Sequence, residues 1–189
     1  MNPAFRRIDS VCLYCGSSDA ADPDYLAAAS EFGRGLAEGG QRLVYGGGGV
    51  GLMGAAARAA HEAGGRVLGV MPEFLRSRER LFDEVETRVV HSMHERKMIM
   101  FQESDAFVVA PGGVGTLEEI VELLSWKRLD LHDKPVVFLN LRGFWEPFYE
   151  LMHHTIRTNF TPAAFADTWI SADTVPEALA VLQRAQVAA

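Results

Sequence analysis

Cysteine is scarce, positive charge is in the minority and long apolar runs are missing, and each shortage closes off a class of protein. Cys12 and Cys15 are the only cysteines among 189 residues, too few for a disulfide framework. Their C-x-x-C spacing falls inside an apolar run instead of at a helix start, where a redox pair sits, and two further zinc ligands at a matching spacing are wanting. Reduced thiols in a cytoplasmic chain are the expectation. The formal net charge of −7 argues against nucleic acid as partner, because a duplex demands clustered positive surface. A small anion in a local pocket remains compatible. No stretch approaches the ~18 uninterrupted apolar residues of a membrane span, and residues 1–9 hold no apolar signal core, so neither membrane insertion nor export is expected.

Several catalytic signatures are also missing. There is no G-x-x-x-x-G-K-[ST] loop for triphosphate cleavage and no G-x-S-x-G nucleophile turn. His94-Glu95 begins like H-E-x-x-H, but Met98 stands where the second histidine must be, so no metal is expected. His153 and His154 are adjacent, cannot share a helical face, and read as surface or interface residues.

What is present is a chain of 48% hydrophobic residues, enough to bury a core as one domain spanning 1–189. Short β-rich runs at residues 11–14, 42–45, 66–71, 106–110 and 135–139 alternate with helical spacing at 24–38, 51–63, 93–104 and 117–129. Such alternation implies right-handed crossovers and a mostly parallel sheet covered by helices on both faces, a three-layer Rossmann-like α/β sandwich. The tail predicts a helix at 145–157, an edge strand at 168–171 and a last amphipathic helix at 175–185. Residues 73–88 carry many charges and little periodicity just after a strand's end, which reads as a mobile binding loop.

Three strand-to-helix junctions are built from small residues: 15–18, 46–54 and 111–116. Carboxyl ends of parallel strands point one way, so all three share one edge of the sheet, where glycine admits a ligand and unpaired helix-start amides attract an anion. Gly49-Val50-Gly51-Leu52-Met53-Gly54 matches G-x-G-x-x-G after a strand, with Glu73 about 20 residues on, which is the dinucleotide pattern of an NAD-dependent oxidoreductase. Against it, that pattern normally opens the first strand-helix-strand unit, and here a full strand and helix precede it. The alternative is that Gly51 and Gly54 simply let the helix pack tightly on the sheet.

Pro111-Gly112-Gly113-Val114-Gly115-Thr116-Leu117-Glu118-Glu119 is more specific. Pro111 stiffens the strand exit, three glycines free the backbone, and Thr116 is placed to cap the helix while offering a hydroxyl to a phosphate. Glu119 follows on the same face. Two readings stand level on spacing alone: a carboxylate facing a sugar cation, or the glutamate of a capping box satisfying an orphan amide. Arg96 and Lys97 lie about 100° apart around a helix; their long stems can converge on one phosphate, or form a solvated face.

The joint pattern resembles the Lonely Guy family of cytokinin riboside 5′-monophosphate phosphoribohydrolases. It comprises Met93-His94-x-Arg96-Lys97, Pro111-Gly112-Gly113-x-Gly115-Thr116-x-x-Glu119, Trp126, Leu131-His132-Asp133-Lys134-Pro135, and upstream Tyr14-Cys15-Gly16-Ser17-Ser18 and Tyr45-Gly46-Gly47-Gly48-x-x-Gly51-Leu52-Met53-Gly54. The resemblance runs over residues 10–182. It implies hydrolysis of an N-glycosidic bond in a nucleoside 5′-monophosphate, AMP included, with Arg96 and Glu119 catalytic and no cofactor. It implies that Lys97, Gly113, Gly115 and Thr116 hold the phosphate, and that Ser17, Gly47, Gly48, Glu79, Met93, Gly112, Val114 and Ser125 contact substrate. Val114 departs from the family's usual aromatic residue and bears on base preference. The family's shorter members are dimers, so a homodimer is implied, with Trp126 near its interface. The label lysine decarboxylase also attaches to the family; it would need a lysine placed for a pyridoxal phosphate Schiff base, and no such constellation is visible. A non-catalytic nucleotide carrier or sensor using the same pocket is the competing reading.

Overall fold

The buried runs assemble, in the computed structural model, into one seven-stranded sheet; residues 7–185 are described, so most of the amino-terminal stretch read above lies outside them. The strands are β1 (Ser10–Tyr14), β2 (Arg42–Tyr45), β3 (Val67–Pro72), β4 (Glu86–Val90), β5 (Ala106–Val109), β6 (Val136–Leu139) and β7 (Ile170–Ala172). They lie in the order β4-β3-β2-β1-β5-β6-β7, and every pairing is parallel. Helices α1 (Pro23–Glu38), α2 (Gly51–Glu62), α3 (Arg76–Glu79), α4 (Met93–Gln102), α5 (Val114–Arg128), α6 (Glu146–Arg157) and α7 (Val175–Ala185) make the crossovers and the final cover.

Strand β1 shows why the inner strands read as unbroken apolar runs. Its side chains alternate between two cores: Val11 and Leu13 pack with Phe32, Leu36, Ala56 and Leu182 on the α1/α2/α7 face, while Cys12 and Tyr14 pack with Met100, Ile120, Leu124 and Phe148 on the α4/α5/α6 face. A strand buried on both sides has no polar face to show. On the first face α1 and α2 approach so closely that a Cβ on Gly33 would lie 2.1 Å from the Ala56 carbonyl oxygen.

The chain builds outward from β1 through β2, β3 and β4, then returns to lay β5 against the other side of β1, pairing Val11 with Ala106 and Tyr14 with Val109. Open α/β sheets bind ligands at the carboxyl end of such a reversal, because the connections diverge there and leave a crevice. The turns leaving β1 and β5 touch across it, the Gly16 amide donating to the Pro111 carbonyl at 3.0 Å.

Two expectations need correction. Residues 73–88 are not one open loop: a 3-10 turn and α3 are followed by β4, which reaches back into this segment as an edge strand. The glycine loop and this segment are stitched together, with Gly49 N donating to Arg80 O at 2.6 Å and Gly48 bridged to Leu81. In addition, α5 starts at Val114 and not near Leu117.

Candidate active site at the sheet switch point

Helix α5 enters the crevice with its first turn bare. Gly113 is the N-cap, with extended backbone and no side-chain cap. The first intrahelical bond there joins Leu117 N to Gly113 O at 3.0 Å. The amides of Val114, Gly115 and Thr116 therefore have no acceptor within the helix and form a ready anion site. Gly113 and not Thr116 therefore takes the N-cap position, and of the two readings of Glu119 that spacing left level, the capping box falls away. Thr116 is the third helical residue and Glu119 the sixth, both are buried, and the Thr116 hydroxyl lies against Gly112, where a Cβ would fall 2.2 Å from it.

Helix α4 brings the cation. It follows β4, so its start lies at the carboxyl edge of the sheet, which settles the placement that spacing left open. Ser92 caps it by accepting from Glu95 N at 3.1 Å, and the Glu95 carboxylate accepts from His91 N, one residue before the cap, at 2.9 Å, a variant of the capping box. One turn in, Arg96 is only 3% exposed and its Nη2 donates to the Gly46 carbonyl at 2.9 Å. Gly46 has to be glycine for this guanidinium: a Cβ there would sit 2.0 Å from Nη2.

Arg96 and Glu119 line one cavity of about 230 Å³, together with Ser17, Met93, Gly113, Gly115 and Thr116. Gly113 and Gly115 have nothing within 4 Å of where a Cβ would stand, and neither has a positive φ. No packing or backbone strain within the protein calls for glycine at either position, and both open onto the cavity. Beneath the cavity, burial pushes the Cys12 thiol and the Tyr14 phenol well above their usual ranges, and the charge of Glu119 adds to both. Cys12 and Cys15 are buried and not joined in a disulfide. Among the described residues no cluster of potential metal ligands occurs.

Other candidates are placed elsewhere. Lys97 is tied to Glu118 and Glu122 and does not line the cavity. Gly47 and Gly48 are buried and engage residues 81 and 82. Gly112 supports Thr116 and lines a neighbouring, mostly apolar cavity of about 240 Å³ with Tyr25, Leu52 and Phe144; the two cavities share Gly16, Ser18 and Gly113. Val114 is 84% exposed. Ser125 faces a groove between α5 and α6. The side chain of Glu79 lies outside the described residues. Trp126 meets Phe101 edge-on at 5.3 Å. Reasoning from sequence brought the turns 15–18 and 46–54 to the ligand edge but did not single out Gly46, Cys15, Gly16, Ser18 or Met53 as individual site residues.

The G-x-G-x-x-G segment is resolved in favour of packing. The α2 amides that would hold a dinucleotide phosphate are already engaged: Leu52 and Met53 donate to Gly16 O at 3.0 and 3.3 Å, and Gly51 to Asp19 Oδ1 at 3.4 Å. Gly51, at φ +59°, would place a Cβ 2.5 Å from the Ser17 carbonyl carbon. The lysine inventory is equally decisive against pyridoxal phosphate. The chain has three lysines: Lys97 is held as above, Lys127 donates to Lys134 O, and Lys134 donates to the Phe101 and Ser104 carbonyls. None lines the cavity, so no residue there fits a Schiff base.

Residues 53–182 match a family model described as "Possible lysine decarboxylase". Among curated proteins, the chain is 43% identical over 180 residues to the cytokinin riboside 5′-monophosphate phosphoribohydrolase LOG of Oryza sativa subsp. japonica, covering 95% of this chain and 73% of that one. It is 39% identical to LOG3, of the same activity, from Arabidopsis thaliana, covering 95% and 82%. Among solved structures, the molybdenum cofactor carrier protein of Chlamydomonas reinhardtii superposes with a TM-score of 0.73 at 27% identity, over 96% of this chain and 99% of that one. DNA processing protein A of Helicobacter pylori shares the fold at a TM-score of 0.59 and 12% identity, over 93% and 80%.

Proposed function

The chain belongs to the Lonely Guy family of cytokinin riboside 5′-monophosphate phosphoribohydrolases, and from that membership we propose that Arg96 and Glu119 are the groups at which its N-glycosidic bond cleavage takes place. Water adds to C1′ of the ribose, the C1′–N bond breaks, and the base leaves with a proton as ribose 5-phosphate is formed. The transition state carries positive charge on the sugar and negative charge on the departing base. Glu119, buried beside the α5 start, is suited to stabilise the cation and orient the ribose hydroxyls or the attacking water. Arg96, locked to the Gly46 carbonyl, presents its guanidinium to the sugar or the leaving group. The bare amides of residues 114–116 and the Thr116 hydroxyl take the phosphate.

The observation that carries this reading is the pair Gly113 and Gly115, glycines that the protein's own packing does not require, opening onto the cavity that Arg96 and Glu119 share. Incubation with isopentenyladenosine 5′-monophosphate and with AMP, followed by chromatography for free base, tests it. Base release by the wild type that is lost in Glu119→Ala is the expected result. Saturable nucleotide binding with no turnover would overturn it and mark a carrier instead.

A homodimer fits the surface next to the cavity. Val114, Leu117 and Val121 form an exposed apolar stripe along α5, running outward from the cavity mouth, with Leu151 of α6 also exposed. Trp126, spent on Phe101, is no part of that stripe. A cytoplasmic location fits two cysteines outside any disulfide; among the described residues no helix is long and apolar enough to cross a membrane.

A further inference from the structure

Consecutive residues on two helices do two different jobs here. On α4, Arg96 faces the cavity while Lys97, 9% exposed, turns to α5. On α5, Glu119 faces the cavity while Glu118 and Glu122 receive the Lys97 ammonium, the latter at 2.8 Å. Glu118 and Glu122 stand one helical turn apart, where like charges repel, and the ammonium between them removes that repulsion. Burial works against the charged lysine, yet the two carboxylates outweigh it and hold its pKa above the ordinary value. One turn further along α4, Phe101 meets Trp126 of α5 at 5.3 Å, so lysine and aromatic contacts bridge the same two helices in register.

We propose that Lys97 is a positioning residue: its bridge to Glu118 and Glu122 fixes the separation and rotation of α4 and α5, and with them the placement of Arg96 relative to Glu119. Two of the three ammonium donors go to carboxylates and the side chain does not line the cavity, so in this reading the phosphate is met instead by the α5 amides and the Thr116 hydroxyl. This inference rests on the assignment of Arg96 and Glu119 above. It also gives Glu122, which does not line the cavity, a part in turnover.

Three variants separate positioning from phosphate binding: Lys97→Met, Lys97→Arg, and Glu118→Gln combined with Glu122→Gln. Loss of the bridge misplaces the reacting groups by a fraction of an ångström or more, so kcat for AMP falls by ~10-fold or more in Lys97→Met and in the double glutamine variant. KM stays within about 3-fold, since the phosphate contacts remain. Lys97→Arg, which can still span two carboxylates, recovers part of kcat. A phosphate-binding Lys97 would give the opposite pattern. Lys97→Met would raise KM with kcat unchanged, and the double glutamine variant, which frees the lysine, would bind AMP more tightly at full kcat; either result overturns the proposal. Thermal melts of each variant identify one that has failed to fold. If the wild type releases no base, the assignment of function has failed, and the bridge is then judged by the Lys97 ammonium resonance in nitrogen-15 spectra of the ligand-free protein. A signal protected from exchange and lost in the double glutamine variant supports it; an unprotected signal refutes it.

Discussion

Gly46→Ala is the substitution that best separates the architecture of the site from the stability of the fold. Gly46 has no positive φ, so alanine suffers no backbone strain. The added methyl would fall 2.0 Å from Arg96 Nη2 and 3.2 Å from Met53 Sδ. Ordinary contact needs about 3.5 Å, so the guanidinium must withdraw by roughly 1.5 Å and give up its hydrogen bond to the Gly46 carbonyl. Both obstructing atoms belong to flexible side chains, so the fold yields easily. The loss is that of one hydrogen bond from a charged group, about 1.5–3 kcal/mol. A displacement of this size at a reacting group costs on the order of 10²-fold in rate. Urea denaturation and the rate of adenine release from AMP, measured on one preparation, give both numbers. Wild-type kcat/KM in the variant would refute the role of Arg96 in the reaction. A stability loss above about 5 kcal/mol would refute the claim that the fold yields.

The strands that lie between two helical layers were legible because burial on both faces leaves them no choice of residue: β1, β2, β5 and β6 all follow from apolar runs. Strand β4 was not, for a physical reason. It is an edge strand in which only Val90 is buried, and Glu86 and Arg88 stand exposed, the charged pattern with which proteins protect sheet edges. That omission propagated. Without β4 preceding it, nothing placed the start of α4 at the carboxyl edge of the sheet, and the position of Arg96 stayed open although the residue itself was singled out. The α5 start was misplaced because Gly113 and Gly115 read as turn residues, whereas the helix begins between them. The bridge that Lys97 makes had no local signal either: the glutamates that take its charge lie on another helix, whereas adjacency to Arg96 suggested a shared target.

Three further outcomes follow from the same geometry. Gly115→Ala, in a helix and with open space about it, should stabilise the fold by about 0.5 kcal/mol while raising KM for AMP by ~10-fold; equal KM values would show that no ligand approaches there. Leu117→Glu with Val121→Glu should turn a dimer into a monomer in sedimentation velocity without lowering Tm, and an unchanged sedimentation coefficient would rule that face out. The third concerns pH. The His132 ring donates its Nε2–H to the Leu123 carbonyl, 3.0 Å away, and packs on Phe101. Burial holds its pKa below the ordinary value, Lys127 and Lys134 push the same way, and the Leu123 contact and Asp133 oppose them. In the unfolded chain histidine takes its proton near pH 6.5, so between that pH and the lower folded value the unfolded state binds more protons. Stability is then fully present above about pH 6.5 and is lost as pH falls through that window. Glu103, held low by Arg42 and Arg88, contributes in the same sense but below about pH 4.3, so the two are separable. Urea midpoints at pH 7.5, 6.5 and 5.5 should decline in the wild type and decline less in His132→Phe, even though that variant starts lower for want of the Leu123 contact; parallel slopes would show that protonation of His132 is not what the fold resists.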